Sequence, residues 1–234
     1  MQIEPIGFLK SCYGEKFGTP RQPGLSPASW GILEFSEDYR SIESVRALEG
    51  FSHIWLIFGF HLTRGHGWRP TVRPPRLGGN QRVGVFASRS TFRPNGLGLS
   101  LVQIVRIERE KREGLKPPAL FVSGVDLVND TPVYDIKPYL PYAESIPNAT
   151  VGYAAEEIRR YQVEVDASAL ETFQSLQGKT QQVILEALSL DPRPATTSLD
   201  LEKIYGVQIC GLNVQFRFRG VTCWIVGIQG ELKE

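Results

Sequence analysis

The sequence is poor in cysteine, with three in 234 residues, at Cys12, Cys210 and Cys223. An odd, widely spaced set without a CxxC pair argues against a disulfide framework and against a structural zinc site. Long apolar runs are also missing. The longest is Ile54-Trp55-Leu56-Ile57-Phe58, far short of the roughly 20 residues of a membrane helix. The first ten residues, MQIEPIGFLK, contain Glu4 and no apolar core, which argues against a secretory signal and predicts a reducing, cytoplasmic home. Nucleotide fingerprints are absent as well. Gly96-Leu-Gly98 lacks the third glycine of a dinucleotide loop, there is no Walker lysine, and no GxSxG elbow occurs. The three histidines stand as H-x7-H-x4-H, which fits no usual zinc spacing and predicts no metal.

What is present is globular in composition, with 41% apolar and 22% charged residues. The net charge of +1 conceals its distribution. From Gly50 to Ile107 there is no Asp, Glu or Lys, but there are eight arginines: Arg64, Arg69, Arg73, Arg76, Arg82, Arg89, Arg93 and Arg106. Ordinary surfaces intersperse both signs. Arginine offers a planar fork of donors that matches phosphate and carboxylate and stacks on bases. Either these arginines pair with acids elsewhere (Glu34, Glu37, Asp126, Asp130, Asp135) or they form an anion-binding face, for which RNA or DNA is the obvious large partner.

Strand-like segments with Gly/Pro turns fill the first two-thirds of the chain: residues 3–9, 30–35, 54–61, 83–88, 97–107, 120–127 and 132–136. Ile42, Val45 and Leu48 stand at helical spacing and predict one short helix over 41–48. This is the pattern of a mainly β barrel or sandwich, without the βα alternation of a doubly wound sheet. Residues 64–82 hold three prolines and four glycines and predict a long, ordered loop. A boundary is expected near 151–157. Residues 1–155 carry 18 basic and 14 acidic side chains, and 156–234 carry 8 and 11. The second part predicts a small α+β domain. It has a strand at 161–165, a helix opened by a capping box at Ser168–Glu171 and ended by Gly178, a second helix capped by Thr180 and stopped by the DPRP run at 191–194, and three β-rich runs at 203–209, 213–219 and 221–228.

Three polar clusters at strand ends suggest the rim of a barrel, where sites are usually built. They are PRQPG at 20–24, SRSTFRPN at 88–95, and residues 126–139 with Asp126, Asn129, Asp130, Asp135, Lys137 and Tyr139. His61, at the end of the apolar run, is a further candidate.

These clusters, with EGFSHIWLIFGFH at 49–61, WRPTVRPPRLGGN at 68–80, GVFASRSTFRPN at 84–95, DLVNDTPVYDIKPYLPYAES at 126–145 and DPRP at 191–194, closely resemble the TsaA-like family, also called YaeB or TrmO. The likeness covers almost the whole chain. It implies a non-Rossmann β-barrel with a small C-terminal α+β domain. It also implies an S-adenosylmethionine-dependent tRNA methyltransferase, acting as a homodimer on N6 of threonylcarbamoyladenosine 3′ of the anticodon in a threonine tRNA. The resemblance places the cofactor against Pro20, Arg21, Gln22, His61, Leu62, Arg89, Leu99, Asp126, Leu127, Val128 and Asn129. Leu62 stands where enterobacterial relatives have Gln, and Asn129-Asp130 where they have Asp-Gly. Asp126 would accept from ribose hydroxyls or the amino group, and Arg21 or Arg89 would hold the carboxylate. Arg64, Trp68, Arg69, Arg73, Arg76, Arg82 and Arg93 suit the anticodon stem-loop. Asp135, with Lys137 and Tyr139, is the candidate general base for methyl transfer, against the preferred reading that Asp135 simply neutralises one of the arginines. The competing expectations are a non-catalytic RNA-binding barrel and a small-anion enzyme. The second of these lacks a recognisable nucleophile–base pair.

Overall fold

Alternation of apolar and polar residues builds six strands into a closed barrel: β1 (Gly7–Ser11), β2 (Trp30–Phe35), β3 (His53–Gly59), β6 (Leu97–Glu108), β7 (Ala119–Ser123) and β8 (Thr131–Pro138). The computed structural model describes residues 2–112, 114–193 and 203–230. The barrel order is β1-β2-β7-β6-β3-β8, with every pair antiparallel. Leu9, Leu33, Ile54, Leu56, Leu120, Val122 and Val133 point inward and are buried. Closure gives every barrel strand a partner on both sides over part of its length. Among the described residues, no helix is long and apolar enough to cross a membrane.

The long strand β6 is staggered. Its first part, Leu97–Gln103, pairs with β3 and its second, from Gln103 on, with β7. Gly98 permits this closure at the β3 end, because a Cβ there would lie 2.3 Å from the Phe58 ring. Between β3 and β6 runs a long excursion. It holds only a two-stranded ribbon, β4 (Thr71–Val72) with β5 (Val83–Gly84), and short 3-10 turns.

After the four-residue helix α1 (Pro141–Glu144) the chain builds a second sheet, of order β10-β11-β12-β9. Its strands are β9 (Gln162–Val165), β10 (Tyr205–Ile209), β11 (Leu212–Arg219) and β12 (Thr222–Gln229). Strand β9 lies parallel to β12, joined through α2 (Ala167–Ser175) and α3 (Gly178–Ser189). Residues of both sheets form one continuous buried core. The units also meet through the backbone, where Tyr13 bridges Ile209 and the Cys210 amide donates to the Cys12 carbonyl at 2.6 Å.

Several local expectations are corrected. Residues 41–48 do not form one helix. Two 3-10 turns, Ile42–Val45 and Leu48–Gly50, are separated by Ala47 in the left-handed region at φ 65°, which lets both Val45 and Leu48 face the core. The strand expected at 83–88 stops at Gly84, and a 3-10 turn follows. Helix α2 is capped by Asp166 rather than Ser168. The Asp166 carboxylate accepts from the Ser168 amide at 3.1 Å and its hydroxyl at 2.8 Å, so the chain enters the helix two residues early. Gly178 opens α3 instead of ending α2, and Thr180 lies buried inside its first turn. Pro194 of the DPRP run lies outside the described residues.

Candidate active site at the barrel rim

Strand directions bring three loops to one end of the barrel. They are 12–29 between β1 and β2, 60–96 between β3 and β6, and 124–130 between β7 and β8. Beyond Ser123 the first part of β6 has no strand on its second side. The 124–130 segment covers that opening.

The covering is made by side chains. Ser100, an inward residue of β6, donates its hydroxyl to Asp126 at 2.6 Å. Burial pushes the Asp126 carboxyl up to about 6, against the opposing pull of the Ser100 hydrogen bond and of the Arg89 charge. Arg89 reaches Gln22 on the first loop through a hydrogen bond to its side-chain oxygen. A guanidinium and an amide from two loops are thus linked across the rim, and the carboxylate of the third loop feels the Arg89 charge. Ser100 was invisible in the sequence because one serine in an apolar strand reads as ordinary alternation. Its burial beside a carboxylate is what marks it.

The remaining residues of 124–130 are fixed by backbone acceptors. Ser11 Oγ donates to the Leu127 carbonyl at 2.7 Å, and Thr131 Oγ1 to the Val128 carbonyl at 2.6 Å. The Asn129 side-chain oxygen accepts from the Ser11 amide at 3.0 Å, while the Asn129 amide donates to Tyr13 at 2.7 Å. Asp130 takes φ 62° and pairs with Lys10. The position still demands a left-handed backbone, and Asp is among the few side chains that tolerate it.

The first loop is held from both sides. The Gly24 amide donates to the Gly124 carbonyl at 2.9 Å. Glu186 of α3 accepts from Ser26 Oγ and from the Ala28 amide, each at 2.9 Å. Arg21 is exposed and reaches the Arg193 carbonyl at 3.4 Å. Arg193 itself is held by Asp191 through two hydrogen bonds, at 2.8 and 2.9 Å, and lies 3.7 Å over the Phe218 ring. Pro20 is buried. The C-terminal domain therefore positions the loop that carries Arg21 and Gln22, a contribution the sequence pattern did not signal.

The 60–96 loop is closed at its base, where the Phe60 amide donates to the Gly96 carbonyl at 2.8 Å. His61 begins a 3-10 turn and Leu62 is 53% exposed. Of the eight acid-free arginines, only Arg106 lies within ion-pair range of an acid among the described residues, Glu108 at 3.9 Å. The arginines divide in another way. Arg93 braces its own loop by donating to the Ser88 and Val85 carbonyls, at 2.7 and 3.2 Å. Arg76 holds the interdomain segment through the Ala154 and Glu156 carbonyls, at 2.7 and 2.9 Å. Arg82 donates to Thr71, and Arg69 lies 4.4 Å over the Phe92 ring. Arg64 and Arg73 are exposed, and the indole of Trp68 is 53% exposed.

The residues 135–139 lie elsewhere. Ile136 faces inward beside Leu56, so Asp135 and Lys137 point out from the barrel wall. Asp135 shares a row with Ile57 and Leu99, accepts from the Ile136 amide at 2.9 Å and faces Lys137 at 3.9 Å. Tyr139 packs edge-on to Trp55 at 6.0 Å. These residues and Leu99 form an outer-wall group, separate from the Asp126–Ser100 pair on the inner side. No cluster of three metal-ligating side chains occurs among the described residues.

Comparison with known proteins gives a consistent result. A family model described as the tRNA-methyltransferase O N-terminal domain matches residues 8–145, and one described as the TrmO C-terminal domain matches 158–231. A tRNA (adenine(37)-N6)-methyltransferase of Escherichia coli K12 is 46% identical over 222 residues, 92% of each chain. A protein of Pseudomonas aeruginosa named as a putative S-adenosylmethionine-dependent methyltransferase, RcsF, is 41% identical over 227 residues, again 92% of each. The crystal structure of TrmO from Pseudomonas aeruginosa superposes with a TM-score of 0.79 at 34% identity and covers 98% of both chains.

Proposed function

The chain belongs to the tRNA-methyltransferase O family, and from that premise we propose that it is an S-adenosylmethionine-dependent tRNA (adenine-N6)-methyltransferase acting on N6-threonylcarbamoyladenosine at position 37 of a threonine tRNA. The observation that carries the reading is the linked set Asp126–Ser100 and Arg89–Gln22 at the rim, beneath a loop whose arginines are not matched by acids.

The donor set fits the cofactor. Asp126 supplies an acceptor for ribose hydroxyls or an amino group, and Arg89, or Arg21 on the loop that Arg89 reaches, suits a carboxylate. Pro20, Gln22, His61, Leu62, Leu127, Val128 and Asn129 complete the rim, with Leu99 on the adjoining wall. When bound there, the cofactor supplies an electrophilic methyl group. The protein's task is to hold the acceptor nitrogen in line with it, an orientation effect worth up to about 7–11 kcal/mol. Asp135, Lys137 and Tyr139 share the outer wall with Leu99, apart from Asp126 and Arg89, and are given no part in the transfer. Arg64, Arg69, Arg73 and Arg82 are assigned to backbone phosphates, with Trp68 stacking on a base. Arg76 and Arg93 support the loop from below. Leu99 on the outer wall is 53% exposed and Tyr142 on α1 is 87% exposed, apolar surface that supports a homodimer. A tRNA substrate supports a cytoplasmic site of action.

The test is calorimetric titration of the purified protein with S-adenosylmethionine and then S-adenosylhomocysteine, followed by methylation of tRNA with and without the threonylcarbamoyl group. Binding of both ligands and methylation of only the carbamoylated tRNA is the expected result. Binding of tRNA without either ligand would instead favour a non-catalytic RNA-binding barrel.

A further inference from the structure

We infer that Cys210 and Cys12 form a peroxide-oxidisable dithiol, a covalent modification site that joins the C-terminal sheet to the barrel rim. The inference is independent of the methyl-transfer reading. Cys210 and Gly211 form the two-residue turn between β10 and β11, with φ 53° and 79°. Two successive left-handed residues define the hairpin turn that favours Asn-Gly. A cysteine in the first place is strained, and such strain is found where side-chain placement matters. Here it brings the Cys210 amide to 2.6 Å from the Cys12 carbonyl, beside the Tyr13–Ile209 bridge.

The sulfur of Cys210 is surrounded by donors. Cys12, Trp30, Lys179 and Thr180 stand around it and draw its thiol below the ordinary value, against the opposing pull of burial. Lys179 and Thr180 belong to the first turn of α3, whose amino end favours an anion. The pair is asymmetric, because Cys210 is shifted towards the thiolate while burial and its neighbour keep the proton on Cys12. A cavity of about 740 Å³ between the barrel wall and α3 reaches Cys210. Its lining includes Trp30, Phe121, Arg106, Lys179 and Thr180 and contains no acid. A small peroxide fits that space and finds a nucleophile at its base. Cys223 offers the contrast, being fully buried and pushed up to about 12 by burial.

The chemistry balances with a hydroperoxide as oxidant. The Cys210 thiolate attacks one peroxide oxygen and breaks the O–O bond, giving Cys210 sulfenic acid and releasing the other oxygen as hydroxide, which takes up the proton that the Cys210 thiol lost on ionising and leaves as water. The Cys12 sulfur then attacks the sulfenic sulfur. The S–S bond forms, the S–O bond breaks and water leaves, carrying the Cys12 proton. Two thiols and one hydrogen peroxide become one disulfide and two waters.

The full chain is treated with stoichiometric hydrogen peroxide, quenched, denatured, alkylated and mapped by peptide mass without reduction. The expected product is a cross-linked peptide pair joining Cys12 to Cys210, lighter by two hydrogens, with Cys223 alkylated. In Cys12→Ser the reaction should stop at a Cys210 sulfenic acid that dimedone captures. If that variant does not fold, the wild-type map decides alone. The proposal is overturned if Cys12 and Cys210 are alkylated as fully as Cys223 while glutathione in the same tube is oxidised, or if the wild type gives sulfenic acid and no cross-link.

Discussion

The 124–130 segment and the 60–96 loop leave the same end of the barrel, yet their polar groups are treated oppositely. In 124–130 nearly every group has a partner: carbonyls 124, 125, 127 and 128 each accept, and the Asn129 side chain both accepts and donates. In 60–96 the framework is tied, through residues such as 60, 69, 76, 82, 85, 89 and 93, while Arg64, Arg73 and Trp68 face solvent. A preorganised segment suits a small ligand, which tolerates little misplacement. Long exposed cations suit a phosphate backbone, where position is averaged and charge dominates.

Breaking the preorganised side should have the largest effect. Asp126→Ala removes a charged acceptor and is expected to weaken cofactor affinity about 10- to 100-fold by calorimetry, on the order of 1.5–3 kcal/mol, while leaving tRNA affinity nearly unchanged. The same residue marks the pH dependence of stability. Its carboxyl is held at about 6 in the folded chain, against about 3.9 when unfolded, so the folded state retains a proton that the unfolded state has lost. That contribution is complete below about pH 4 and disappears as pH rises through about 6, a difference of at most about 3 kcal/mol. Asp126→Asn should therefore flatten this slope and melt above the wild type at neutral pH. An unaltered slope would show that Asp126 does not titrate in this range.

The arginine side should respond more weakly and in the other observable. Arg73→Ala is expected to lower tRNA affinity by a factor of about 3–10 and to reduce the salt slope by about one unit, with cofactor affinity preserved. A loss of cofactor binding instead would dissolve the distinction between the two loops. The smallest effect concerns the turn that ends the ordered segment. Asp130→Gly relieves a left-handed residue and gives up an exposed ion pair with Lys10. Chemical denaturation should place it within about 1 kcal/mol of the wild type, on the stabilising side.

The barrel strands were legible as short β-rich runs between turns, whereas the alternating burial of β2 and β3 emerged only with the fold, because the apolar run of β3 does not alternate in sequence. The spacing of Ile42, Val45 and Leu48 misled, since a three-residue repeat is shared by a helix and by successive 3-10 turns, and only the backbone at Ala47 separates them. The polar rim clusters were legible as turns. Their partners were not: Arg89 with Gln22 and Ser100 with Asp126 are contacts set by barrel closure, 67 and 26 residues apart in sequence. The division among the arginines was equally hidden, because Arg73 and Arg93 are the same residue type in the same loop and differ only in the carbonyls folded around them.

The stagger of β6 has a consequence for how the barrel breathes. In an antiparallel pair alternate residues turn their amides to the partner, and β6 has β3 on one side of its first part and β7 on the opposite side of its second. Amide protection along this one strand therefore passes from one partner to the other near Gln103. The unpaired amides of residues 97–102 face the rim opening beside Asp126. Whatever occupies that opening in solution is in position to slow their exchange, so β6 is a built-in reporter of occupancy as well as a wall.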